Sequence, residues 1–342
     1  MGRIKTQKGT TVVKYLKEWP DLPNLTLAKK IYSENSLLFK DVEQVRLMIL
    51  YYTGVKEKKR RNKKTDRELL KNPGENSKKM GIPSPYYTIP ESDNEDWLPY
   101  EMPKNATRIL VLSDVHIPYH DTESLEKAID YGVENKANAV LLNGDIMDCY
   151  SLSRWEKDPR KRRFSQELED TRQFLSYLKH RLPDAVIYYK LGNHELRYEA
   201  FLRIKAPELL DVSEFRLDVL LRFGELGVNL ITDDRIIQIG ELNVMHGHEF
   251  GRSVFSPVNP ARGYYMRSKT NILAGHNHQS SEHSEPNLNG QVVTAWSTGC
   301  LCHLHPDYMR INKWNHGFAF IKVYKDGNFE VDNLRIIKGQ IR

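Results

Sequence analysis

The segment RILVLSDVH (residues 108–116) is an apolar run of strand length that stops at an acid and a histidine. Residues 109–112 show no polar alternation, which is the pattern of a strand buried on both faces. The same arrangement recurs along the chain. AVLL (139–142) leads into Asn143-Gly144-Asp145, with Asp148 three residues on, and AVIYYKL (185–191) leads into Gly192-Asn193-His194-Glu195. LNVM (242–245) leads into His246-Gly247-His248, and NILA (271–274) into Gly275-His276-Asn277-His278. Helical patterns over 125–135 and 166–181 separate the early strands, so an α/β domain with helices covering a largely parallel sheet is predicted. RIIQI, LNVM, NILA, QVVTAW, FAFIKVY and NFEVDNLRI follow one another more closely, which predicts a second, more antiparallel sheet. The fold class expected for residues 106–342 is therefore an α/β/α sandwich of two sheets.

Residues 1–55 carry a different pattern. One apolar stripe joins Val12, Val13, Leu16 and Trp19, and another joins Leu27, Ile31 and Leu37. A third helix is expected behind an Asp41 cap, with Val42, Val45, Ile49 and Tyr52 on one face and Gly54 as its stop. Three short helices suit a small module of helix-turn-helix type, although periodicity alone does not separate a nucleic-acid reader from any other three-helix bundle. Residues 56–105 read as a linker, basic at first (KEKKRRNKK, 56–64) and then rich in Pro, Gly, Ser and Asn. Residues 1–64 hold 16 Lys/Arg against six Asp/Glu, whereas the whole chain is only +6, so the remainder is acidic. Positive charge gathered at one end can steer a polyanion.

Composition excludes other classes. At 39% hydrophobic and 28% charged residues, with no apolar run of membrane-spanning length and no apolar leader, neither a membrane protein nor a secreted one is indicated. Cys149, Cys300 and Cys302 cannot build a disulfide framework, and a cytoplasmic location is expected. The run Cys300-Leu301-Cys302-His303-Leu304-His305 looks like a zinc cluster. Its donors are too close in sequence to close a tetrahedron, so no structural zinc is expected there.

In open α/β sheets, functional groups collect at the carboxyl ends of strands, where loops converge on one crevice. All five polar clusters have that placement. Carboxylates and imidazoles together suit divalent transition metals, and a pair of ions also needs a bridging carboxylate. Asp114 and His116, two apart on an extended segment, are expected to point the same way. His276 and His278 share that spacing, but a turn between them would let each address a different ion.

The order Asp-x-His, Gly-Asp-x-x-Asp, Gly-Asn-His-Glu, His-Gly, Gly-His-x-His resembles the calcineurin-like metallophosphoesterase superfamily over about residues 108–338. DVHIPYHD (114–121) and NKWNHGFAF (312–320) are further similar to phage-encoded members. The resemblance implies a first metal held by Asp114, His116, Asp145 and His278, and a second held by Asp145, Asn193, His246 and His276. Asp145 would bridge them, and His194 would match the catalytic histidine that contacts phosphate and protonates the leaving oxygen. The expected cofactors are two divalent ions, with manganese favoured over iron or zinc, acting through a metal-bridging hydroxide.

Asp148 and Glu195 are candidate orienting acids, and His120, His248 and Arg154 candidate substrate contacts. Residues 150–164 (YSLSRWEKDPRKRRF) form a basic insertion in which Arg154, Arg160, Lys161, Arg162 and Arg163 accompany Trp155 and Phe164, a mixture suited to phosphates and stacked bases. The expected function is hydrolysis of nucleic-acid phosphodiesters. The alternatives are a phosphomonoesterase acting on phosphoprotein or nucleotide, and a non-catalytic DNA-binding scaffold.

Overall fold

The computed structural model of the chain describes residues 6–20, 22–52, 97–154, 158, 163–232, 234–253 and 258–342. Most of the 56–105 linker, Gly54, and Trp155, Arg160, Lys161 and Arg162 of the basic insertion lie outside the described residues. The chain divides into two compact units, Met1–Glu95 and Asp96–Arg342.

Among the described residues the first unit holds three helices, α1 (Gln7–Glu18), α2 (Asn24–Glu34) and α3 (Val42–Tyr52). Thr6 caps α1 by accepting from Gly9 N, and Asp41 Oδ1 accepts from Gln44 N at the start of α3. Val12, Leu27, Ala28, Ile31, Phe39, Val45 and Ile49 form the core. Three positions read as core are not. Leu37 is fully exposed, Tyr52 is 38% exposed, and Trp19 is 40% exposed, with the Lys30 ammonium over the indole ring. Leu37 falls in the turn after α2, where helical spacing no longer governs direction, and Phe39 supplies the apolar group instead.

The second unit is built on two sheets. Seven strands are ordered β13-β12-β11-β2-β3-β4-β5. Here β2 is Arg108–Leu112, β3 Ala139–Asn143, β4 Val186–Lys190, β5 Val228–Ile231, β11 Gly317–Val323, β12 Phe329–Ile337 and β13 Gln340–Ile341. β2 to β5 run parallel, while β11 adds antiparallel to β2 with Ala319 opposite Val111. Six strands make the other sheet, β1-β6-β7-β8-β10-β9, from β1 (Tyr100–Glu101), β6 (Ile237–Ile239), β7 (Leu242–Met245), β8 (Ile272–Ala274), β9 (Ser281–Pro286) and β10 (Val292–Ser297).

The two-sheet sandwich is as expected, with one correction. FAFIKVY and NFEVDNLRI join the first sheet as its antiparallel edge. The second sheet is mixed, with β7, β8 and β10 parallel. Alternation along a strand reports which faces are buried but not which neighbour it pairs with.

Burial on both faces explains the unbroken apolar runs. Ile109, Val111, Ala139, Leu141 and Tyr188 face the other sheet and meet Ile237, Leu242, Val244, Leu273 and Trp296. Leu110, Leu112, Val140, Leu142, Ile187 and Tyr189 face outward under α4 (Thr122–Glu134) and α5 (Phe164–Arg181). The second sheet is covered in turn by α7 (Pro260–Ser268), through Ala261, Tyr264 and Tyr265. Between β4 and β5 lies α6 (Leu196–Lys205).

Candidate metal centre

The loops that follow β2, β3, β4, β7 and β8 meet at one end of the sandwich. Those after β2 and β3 are laced together by backbone bonds, Asp114 N to Gly144 O, His116 N to Asp145 O and Ile117 N to Ile146 O, at 2.8–3.1 Å. Asp114 and His116 lie beyond the end of β2 with φ of +56° and +53°, and Asp145, His276 and His278 share this left-handed φ in their own loops, at +54°, +68° and +56°. The expectation of an extended Asp114–His116 segment is therefore corrected: both are left-handed. Asp and His tolerate this region better than most residues, and such backbones concentrate at functional sites. Gly192 has no room for a side chain, because a Cβ there would run into the Asp145 carboxylate.

Each central carboxylate has one oxygen held by the protein and the other turned inward. Asp114 Oδ2 accepts from Ser113 Oγ (2.6 Å) and His276 N (2.9 Å), while Oδ1 lies 3.0 Å from His278 Nε2. Asp145 Oδ1 accepts from His194 N, and Oδ2 lies 3.2 Å from His246 Nε2, 3.8 Å from His194 Nε2 and 3.9 Å from His116 Nε2. His116 Nε2 and His278 Nε2 stand 3.2 Å apart. His276 joins Asp145 and His246 with donor atoms within 4.8 Å of one another. Donors that share an ion at about 2.0–2.3 Å stand about 3 Å from each other, which these separations match. Asp145 thus sits between two donor groups, one with Asp114, His116 and His278, the other with His246 and His276.

The donor chemistry fits divalent ions. Asp114 Oδ1, Asn193 Oδ1, His246 Nε2 and His276 Nδ1 are buried and make no well-aligned hydrogen bond. Native interiors rarely leave such atoms unsatisfied without a ligand. The histidine tautomers follow from their outer partners. His116 Nδ1 faces Asp148 Oδ1 at 3.0 Å, His246 Nδ1 faces the Asn143 carbonyl at 2.8 Å, and His278 Nδ1 faces Cys302 Sγ at 3.9 Å. An N–H spent on these contacts leaves Nε2 as the donor. His276 reverses the assignment, with Nδ1 unsatisfied.

Electrostatics couple the same carboxylates and imidazoles to one another. Burial opposes the charged form of His246, but the nearby Asp145 carboxylate outweighs it and pushes its pKa up to about 10. Asp114 does the same for His278, against burial, to about 9. Burial, and then His246, push His276 down to about 4. Asp114 and Asp145 stay below the usual carboxylate range despite burial, because His278 and His246 respectively stand beside them.

His194 stands at the edge of this group. Its Nδ1 meets the Asp148 carbonyl at 2.8 Å, and its Nε2 accepts from Arg197 Nη2 at 2.8 Å. Burial opposes its charge, but Asp145 and the hydrogen bond to Asp148 raise its pKa. The Asp148 carboxylate touches both His116 and His194. Glu195 has another occupation. Its two oxygens accept from the backbone of Asp145, Ile146, Met147 and Gly192 and from Tyr189 Oη, at 2.7–3.0 Å, so it orients loops rather than an imidazole.

His248 lies beside the second group, with its ring 5.3 Å from that of His246 and its Nε2 3.4 Å from Asp234 Oδ1. His120 is bridged to Cys302 through the backbone. Arg154 is exposed. Phe164 packs against Tyr198 with centroids 5.4 Å apart, inside the protein's own contacts rather than presented to a base.

Sequence reasoning missed Arg197 and the ion pair of Lys190 with Glu249 (3.0 Å), and it gave Cys302 no place beside the centre. It also missed Trp314, whose ring lies 4.1 Å from His278 and 6.3 Å from exposed Tyr308. Arg197, Lys190 and Glu249 fall in no quoted polar motif as site groups, and the runs that hold Cys302 and Trp314 carry no signal of their contact with His278.

Comparison with known proteins places this centre in context. The family model described as calcineurin-like phosphoesterase matches residues 107–315. The Gene 54 protein of Mycobacterium phage L5 is 31% identical over 64% of this chain and 89% of its own length. The Gene 54 protein of Mycobacterium phage D29 is 29% identical over 68% and 95%. Among solved structures, Vacuolar Protein Sorting 29 from Cryptosporidium parvum is 15% identical with a TM-score of 0.38, covering 69% of this chain and 94% of that one.

Proposed function

The chain belongs to the calcineurin-like phosphoesterases, and from that membership we propose that it is a metal-dependent hydrolase of nucleic-acid phosphodiesters. The observation that carries the choice of substrate is the charge distribution. Residues 1–64 hold 16 Lys/Arg against six Asp/Glu in a chain whose total is +6. A polyanion would be drawn to that end while the acidic centre works on one phosphate. Trp314 beside His278, with Tyr308 beside Trp314 in turn, supports the same reading, since aromatic rings next to a phosphate site suit unstacked bases.

Two divalent ions would be held by Asp114, His116, Asp145 and His278 on one side and by Asp145, Asn193, His246 and His276 on the other. Bound there, they would acidify water to near neutrality and draw charge from the phosphate. The remaining work falls to the chain's own groups. His194 Nε2 is placed at the edge of the donor set, where it would deliver a proton to the leaving oxygen. Asp148 holds the ring of His194 and that of His116 in register, so one carboxylate couples the proton donor to the first donor group. Ser113 and the His276 N–H hold Asp114 in its orientation.

The test is direct. The full chain with manganese is assayed on single- and double-stranded DNA, on RNA, and on small phosphate mono- and diesters, beside Asp145→Asn. Metal-dependent cleavage of DNA or RNA is the expected result. Turnover of monoesters alone would overturn the nucleic-acid reading, and turnover of nothing would overturn the catalytic one.

A further inference from the structure

Arg197 is the second residue of α6, directly behind the Gly192-Asn193-His194-Glu195 turn, and its guanidinium is aimed back at the centre. Nη1 donates to the Asp148 carbonyl at 2.9 Å and Nη2 to His194 Nε2 at 2.8 Å. A fork of five N–H donors matches a tetrahedral oxyanion far better than it matches one carbonyl and one imidazole. The second contact is also incompatible with the role proposed for His194. One ring nitrogen cannot accept from Arg197 and at the same moment serve a leaving oxygen.

We propose that Arg197 is the phosphate-recognising residue of this centre. As substrate enters, the guanidinium leaves His194 Nε2 and takes the non-bridging oxygens of the scissile phosphate. The imidazole is then free to take up a proton from solvent at Nε2, where Asp145 and Asp148 favour the charged ring, and to face the leaving group. The carbonyl of Asp148 remains as the hinge contact that keeps the arginine beside the site in both arrangements. Recognition and exposure of the proton donor are thereby one event. The proposal rests on phosphoester hydrolysis but not on nucleic acid as the substrate. Both mono- and diesters present non-bridging oxygens to the fork.

The experiment uses the manganese-loaded full chain, with inorganic phosphate as the probe in calorimetry and p-nitrophenyl phosphate and bis(p-nitrophenyl) phosphate in turnover. Charge-assisted hydrogen bonds to an oxyanion are each worth enough for about 10- to 100-fold in affinity. Arg197→Ala is expected to weaken phosphate binding by about that factor and to raise KM on whichever ester is hydrolysed. Added guanidinium ion should recover much of the loss. Arg197→Lys should recover little, because an ammonium cannot form the fork.

Unchanged phosphate affinity with reduced kcat would overturn the proposal, since Arg197 would then only steady His194. Loss of bound manganese or of folding in both Arg197→Ala and Arg197→Gln would also overturn it, in favour of a structural role. Cleavage of monoesters only would end the nucleic-acid reading and leave the phosphate measurements to judge Arg197 by themselves.

Discussion

Lys190 Nζ lies 3.0 Å from Glu249 Oε1, and both side chains are nearly sealed from water. The ammonium also donates to the Arg235 carbonyl at 2.8 Å. Glu249 accepts from the backbone N–H groups of His246 (3.1 Å) and Gly247 (2.6 Å). This pair therefore ties the end of β4 to the turn that presents His246, although neither residue reaches the centre itself. Burial resists the Glu249 charge, and Lys190 overcomes it, keeping the carboxyl below its usual range.

Removing one partner should cost more than removing both. Lys190→Met leaves Glu249 as a buried charge without its counter-ion, a change that typically costs about 3–5 kcal/mol. Denaturant unfolding of the full chain should show that loss. The double variant Lys190→Met/Glu249→Gln should be milder, because it leaves no buried uncompensated charge. A single variant as stable as the parent would refute the structural role assigned to the pair.

Glu195→Gln tests a different support. Five donors converge on the two oxygens of Glu195, and a glutamine replaces one of those oxygens with an NH2. At least two backbone N–H groups would then face a donor, at a cost on the order of 3 kcal/mol. Because Asp145 N is one of the five, metal affinity should fall together with stability. Stability lost with metal affinity intact would show that the Asp145 loop does not depend on this carboxylate.

His194→Ala separates proton delivery from metal holding. General-acid groups contribute about 100- to 10,000-fold, so kcat on an alkyl or nucleotide leaving group should fall within that range. With p-nitrophenolate, which departs without help, the loss should be much smaller. Manganese stoichiometry should stay the same. His194 does lie close enough to His116 and Asp145 to complete a donor set. A missing ion in this variant would reassign the ring as a ligand.

Much of the centre was legible because its residues are tied to strand ends. Each apolar run stops where a polar cluster begins, so the position of Asp114, Asp145, Asn193, His246 and His276 at strand ends follows from periodicity, while their reading as metal ligands rests on the family resemblance. Local pattern failed where partners come from far away. Lys190 reads as the polar end of a strand, and only the tertiary fold brings Glu249 to it. Arg197 carries no signal in the sequence, and only the packing of α6 brings its guanidinium to His194. The left-handed backbone at Asp114 and His116 is likewise imposed by contacts with the loop after β3. The affiliation of β11 and β12 was illegible for a related reason, since strand pattern carries no information about the pairing partner.

Two histidines of raised pKa set the pH dependence of the metal-free protein. In the metal-free chain His246 titrates at about 10 and His278 at about 9, above the ordinary value near 6.5. At neutral pH both are protonated and paired with Asp145 and Asp114. A folded-state pKa above the unfolded one stabilises fully below the unfolded value and is lost as pH rises through the folded value. The metal-free protein should therefore lose stability steadily from about pH 7 to pH 10.

Metal binding runs the other way. An ion can take the Nε2 positions only after the protons leave, so binding at pH 7 should release about two protons and tighten toward pH 9 to 10. His276, already neutral with a pKa near 4, contributes no proton in that range. Calorimetry in buffers of different ionisation enthalpy counts the protons, and thermal unfolding of chelated against manganese-loaded protein across pH 6–10 follows stability. The two curves should diverge as pH rises. Zero proton release at pH 7, or a metal-free melting temperature that stays flat to pH 10, would show that these carboxylate–imidazole pairs are not charged in the unloaded centre.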